Sequence, residues 1–83
     1  MSNKVYSAYV MPMQDEETFI VWHIENIEVT YFKTNKTFHF ESMEWNEEKQ
    51  DWFGTTVDIT EAIELCDIDF VKGFNDIREV YKI

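Results

Sequence analysis

The sequence predicts an α+β fold: an antiparallel four-stranded meander with one or two C-terminal helices packed on one face. Three observations predict it. The first three quarters of the chain carry Val-, Ile- and aromatic-rich runs of strand length, separated by short polar segments. After Val57 the apolar spacing changes from a period of two to about 3.6. Glycine occurs twice and proline once, so no stretch has the composition of a linker, and one domain over residues 1–83 is expected.

The first strand is expected over residues 4–11, rich in Val and Tyr and closed by Pro12, which has no N–H for a ladder. Gln14-Asp15-Glu16-Glu17 reads as a polar connection. A second strand is expected over residues 19–32. Its apolar set changes parity between Ile24 and Ile27, which predicts a β-bulge or kink at Glu25-Asn26. Lys33-Thr34-Asn35-Lys36 reads as a turn, residues 37–45 as a strand, 46–51 as a polar loop and 52–57 as the last strand.

Asp58 and Glu61 have capping-box spacing ahead of a short helix over about 59–66. Asp69 can cap a second helix over about 69–81, whose Phe70, Phe74, Ile77 and Tyr81 share one face. Gly73 in its middle weakens it by about 1 kcal/mol relative to Ala. The alternation of residues 78–83 also fits a final strand; the helix is the favoured reading.

Hairpin geometry then sets which side chains meet. With residues 33–36 as the loop, Val29 faces Phe40 and Tyr31 faces Phe38, an apolar set turned toward the helices. On the other face Glu28 meets Glu41 and Thr30 meets His39. Keeping Phe38 and Phe40 inward in the next hairpin requires Trp45 opposite Trp52, Phe40 opposite Val57 and His39 opposite Asp58. The outer face is therefore expected to carry Glu28, Glu41, His39, Asp58, Thr30 and Thr56, rimmed by Trp45 and Trp52. Alternate residues along a strand lie about 6.6–6.8 Å apart, so carboxylates on adjacent strands form an array of negative charge. Residues 41–51 extend it: Glu41, Glu44, Glu47, Glu48 and Asp51 against Lys49 give five acids and one base, a net −4.

Seventeen acids against seven bases give a formal charge of −10. Direct binding to nucleic acid is disfavoured, because phosphate contacts need Lys and Arg to release counterions; anionic membranes are disfavoured for the same reason. An acidic surface serves solubility in many proteins, and it also speeds association with a basic partner. No run of roughly 18 apolar residues and no basic-then-apolar leader is visible, and one cysteine leaves no internal disulfide; a soluble, cytoplasmic protein is expected.

Catalytic and metal chemistry finds little support. His23-Ile24-Glu25 and His39-Phe40-Glu41 each place two candidate ligands on one strand face, but the register sets Thr30, not His23, beside His39. Asp67-Ile68-Asp69 resembles the start of a calcium loop, yet glycine falls at the seventh position and Arg78 at the twelfth. Cys66 lies within the expected apolar helical turn, after Leu65, and reads as a buried thiol. No Gly-rich phosphate loop, Ser elbow or zinc-binding Cys pair is present. The expectation is a non-enzymatic protein with no cofactor and no metal, as monomer or homodimer. It would occupy a basic site, normally used for nucleic acid, on a partner protein. In size and charge it resembles mobile-element antagonists and nucleic-acid mimics, without a motif that assigns a family. The expected binding residues are Glu28, Glu41, Glu44, Trp45, Glu47, Glu48, Asp51, Trp52 and Asp58. Two alternatives share the composition: an immunity or antitoxin protein that neutralises a basic toxin, and a homo-oligomeric structural or adaptor domain.

Overall fold

The computed structural model describes residues 10–83. The fold is α+β: an antiparallel sheet in the order β1-β2-β3-β4-β5, followed by two helices. The strands are β1 (Gln14–Asp15), β2 (Phe19–Ile24), β3 (Ile27–Phe32), β4 (Thr37–Asn46) and β5 (Asp51–Val57); the helices are α1 (Ile59–Leu65) and α2 (Phe70–Tyr81). The expected strand over residues 4–11 lies outside the described residues except at Val10 and Met11, which are not in a strand.

Two expectations are corrected here. Gln14 and Asp15, read as a connection, form an edge strand by pairing with Val21 and Ile20. An edge needs only main-chain donors and acceptors, so polar side chains do not prevent it. Lys33 Nζ helps to hold it, 3.2 Å from Asp15 Oδ1 and 2.7 Å from the Glu16 carbonyl oxygen.

The expected single strand over 19–32 is two strands, β2 and β3, paired antiparallel from Phe19 with Phe32 to Ile24 with Ile27. The parity change at Glu25-Asn26 is a two-residue hairpin turn and not a bulge. Glu25 turns the chain with φ 55°, a left-handed conformation that costs a residue with a Cβ roughly 1–2 kcal/mol. Its carboxylate repays the cost by accepting the N–H groups of Asp67 at 3.1 Å and Ile68 at 2.6 Å. The β2–β3 turn is thereby fastened to the segment that joins the helices.

The remaining registers follow the side-chain pattern. Val29 pairs with Phe40, Tyr31 with Phe38, Glu28 with Glu41 and Thr30 with His39. Phe40 pairs with Val57 and Trp45 with Trp52. Ile20, Trp22, Ile24, Ile27, Val29, Tyr31 and Val57 turn to the helix side and form the core with Ala62, Cys66, Phe70, Phe74 and Ile77. Phe38 and Phe40 close its edge, with ring centroids 4.8 and 5.4 Å from Phe74. The helices start where expected. Asp58 accepts from the Glu61 N–H at 2.8 Å and Glu61 accepts in return from the Asp58 N–H at 3.4 Å, a complete capping box. Asp69 accepts from the Lys72 N–H at 3.0 Å. Residues 78–81 are helical, and Lys82 ends α2 in a left-handed conformation. Cys66 is buried, its Sγ 3.7 Å from the Ile24 carbonyl oxygen. Among the described residues no helix is long and apolar enough to cross a membrane.

Candidate protein-binding surface

Both helices pack on one face of the sheet, and no described element covers the other. On this open face the registers place His23, Glu28, Glu41 and Thr56 in one row across four strands. Glu28 and Glu41 are opposite each other, a like-charge pair that is destabilising when uncompensated. Each turns to a histidine instead: His23 Nε2 lies 3.3 Å from Glu28 Oε1, and His39 Nε2 lies 3.1 Å from Glu41 Oε2. Both carboxylates are half-buried, and the nearby Val21 and Thr30 are buried. The centre of the face is therefore a mixed surface and not the continuous anionic array that alternation alone suggests. Among the described residues no group of three or more His, Cys, Asp or Glu side chains is arranged to hold a metal ion.

The acidic and aromatic character lies farther out. β3 pairs with β4 from Thr37 to Ser42, whereas β4 continues to Asn46. Past Ser42, the Met43 N–H still donates to the Asn26 carbonyl oxygen at 2.8 Å, and beyond it the β4 ladder pairs, among the described residues, with β5 alone. The result is a two-stranded arm over residues 43–54. Trp45 and Trp52 meet on the open-face side, ring centroids 5.5 Å apart in an edge-to-face contact, and stay 44% and 53% exposed. On the reverse side Phe53, 45% exposed, carries the Lys49 ammonium 5.6 Å from its ring centre. Glu47, Glu48 and Asp51 are exposed at the tip, where Glu47 accepts from the Gln50 side chain and Asp51 from the Trp52 N–H.

The nine expected binding residues thus fall into separate places. Trp45, Glu47, Glu48, Asp51 and Trp52 gather on the arm. Glu44 is also on the arm, but it pairs with Phe53 and faces away from the tryptophans. Glu28 and Glu41 sit at the centre of the open face, engaged with histidines. Asp58, expected opposite His39, is not on this surface: the ladder ends at Phe40 and Val57, and Asp58 caps α1.

Phe53 and Met43 belong to the surface and were not among the expected residues. The signal for Phe53 is the Trp52-Phe53 pair, two adjacent large apolar residues that must point to opposite sides of a strand. Met43 matters at the arm's root. With His23, Glu25, Asn26 and Trp52 it lines a cleft of about 310 Å³. Gly54 faces this side too, because a Cβ there would overlap the Glu41 carboxylate and lie 2.9 Å from Met43 Sδ. The missing side chain lets Glu41 and Met43 lie across β5. The chain matches no protein-family model, no curated protein and no solved structure.

Proposed function

We propose that this chain is a non-enzymatic binding protein that inserts its β4–β5 arm into a basic site on a partner protein, a site that otherwise holds nucleic acid. The observation that carries the reading is the arm itself. A two-stranded hairpin is marginal in water, and this one presents two exposed indoles and a phenyl ring beside an acidic tip. Tryptophan is enriched among the residues that dominate binding energy. The acids supply what the aromatics lack, long-range attraction to positive charge, and they favour cationic partners over anionic ones. With a formal charge of −10, the whole molecule adds to that attraction.

The test is capture of proteins from a host extract on the immobilised chain, followed by elution with duplex DNA. A basic protein that DNA displaces is expected, and Trp52→Ser with Glu48→Lys is expected to abolish capture in a folded protein. A captured protein that DNA leaves in place, or one retained by the double variant, contradicts it. The identity of the displaced protein separates an inhibitor of a nucleic-acid-processing enzyme from an antitoxin.

A second reading has one observation in its favour. Among the described residues β5 pairs with β4 alone, and it is exposed from Asp51 to Thr56 and lacks the Lys or Pro that usually guards sheet edges. Self-association along it would be opposed by the charge of −10 on each copy. A concentration-independent sedimentation profile excludes it.

A further inference from the structure

The basic residues of this acidic chain are unevenly used. Of seven Lys and Arg, Lys33 holds Asp15, Lys72 pairs with Asp76 at 3.7 Å and Lys49 lies over Phe53. Three others, Lys36, Arg78 and Lys82, line one cleft of about 640 Å³ on the helix side of the sheet. No Asp or Glu side chain among the described residues lies within ion-pair distance of any of the three. With acids outnumbering bases by 17 to seven, chance pairing favours the opposite outcome.

The cleft is aromatic beneath and cationic at its rim. Tyr31, Phe38 and Phe74 line its wall, with Tyr31 and Phe38 ring centroids 4.9 Å apart and Phe38 and Phe74 edge-to-face at 4.8 Å. The Arg78 guanidinium lies 5.9 Å from the Phe74 ring centre. Its Nε–H donates to the Ile83 main-chain oxygen at 3.1 Å, which orients the guanidinium and leaves its four terminal donors. The C-terminal end of α2 accounts for Arg78 and Lys82, since cations complement the helix dipole there. It does not account for Lys36, which comes from the β3–β4 turn with φ 57°. Two unrelated elements thus direct at one aromatic-walled space, which Ile83 also lines, positive charge that no described Asp or Glu side chain pairs with. Its volume falls in the range of small-molecule sites, about 300–1,000 Å³.

We propose that this cleft binds a small aromatic anion, a planar ring bearing a carboxylate or phosphate. The ring packs on Phe38 and Phe74, and the anionic group meets Arg78, Lys82 and Lys36. The site is on the face opposite the tryptophan pair and does not depend on the proposed use of the arm.

Naphthyl phosphate and naphthoate are suitable probes, titrated into the full chain while amide proton–nitrogen correlation spectra are recorded. Shifts centred on Lys36, Phe38, Phe74 and Arg78 are expected, with binding weakened about tenfold or more in R78Q/K82Q, the loss of charge-assisted contacts. K36Q, in an exposed turn, is expected to weaken binding severalfold and keeps the test alive if the helix-end variant unfolds. K49Q is expected to bind as the wild type does. Shifts that map elsewhere, or affinity unchanged in K36Q and R78Q/K82Q, overturn the proposal. So does inorganic phosphate or neutral naphthol binding as tightly as the joined molecule, because either result leaves half of the cleft without a role.

Discussion

Glu25 is the side chain on which local and distant structure meet. Its backbone takes the left-handed turn position that Asn, Asp or Gly would normally fill, while its carboxylate holds two main-chain N–H groups more than forty residues away. Glu25→Ala is expected to lower stability by about 2 kcal/mol, the usual worth of hydrogen bonds to a charged group. Glu25→Gly should cost less, by up to about 1 kcal/mol, because glycine relieves the positive φ. Urea midpoints of the two variants check the order; equal midpoints would mean that the turn stores no strain. The parity change at Glu25-Asn26 is legible in the sequence, but its meaning is not. A bulge and a two-residue turn both shift the apolar set, and the choice is settled by two runs of six residues that pair end to end. The contact to Asp67 and Ile68 is invisible to any local pattern. Asp58 teaches the same lesson in reverse: its capping spacing and its extrapolated place on the sheet are both readable, and one carboxylate cannot serve both.

At the scale of elements, α2 is the most legible part of the molecule. Phe70, Phe74 and Ile77 are buried as the 3.6 period requires, and a helix that presents them well is a large share of the core. Phe74→Ala is expected to cost about 3–5 kcal/mol by thermal or urea unfolding, since its ring meets Phe38, Phe40 and Phe70. Gly73→Ala should act in the opposite direction. A Cβ there would meet Ile24 Cδ1 at 3.5 Å, an ordinary contact, so the gain in helix propensity of up to about 1 kcal/mol should appear as a higher midpoint. A lower midpoint would show that α2 and β2 are packed too closely to admit a methyl group.

The β4–β5 arm behaves differently from α2. Its pairing was derivable from keeping Phe38 and Phe40 inward, but its projection was not. That depends on β3 being six residues long beside a ten-residue β4, a length difference hidden while β2 and β3 read as one strand. Trp52→Ala is expected to speed amide exchange over residues 43–54 and to move the global midpoint by less than about 1.5 kcal/mol, the range for an aromatic pair. Loss of protection throughout β2 and β3 would instead make the arm part of the core.

Across the whole molecule, composition reports an excess of acid and no more; position decides its use. Carboxylates at Glu25, Asp58, Asp69, Glu28 and Glu41 are engaged by turns, helix caps and histidines, and the exposed acids Glu16, Glu17, Glu64, Asp67 and Glu79 are spread over other elements, whereas Glu47, Glu48 and Asp51 stand together beside exposed aromatic rings at the tip of the arm. The cations are sorted as well, with three at the aromatic cleft on the other face. The molecule consequently has a polarity of surface that net charge conceals: an acidic, aromatic arm at one place and a basic, aromatic recess at another. The first is proposed to face a protein and the second a small anion.

Hydrogen–deuterium exchange of the chain in complex with its DNA-displaceable partner shows whether the arm is the surface that binds. Exchange is expected to slow over residues 43–54, with the helices unchanged. Slowed exchange confined to α1 and α2, with the arm exchanging as it does in the free protein, would contradict it.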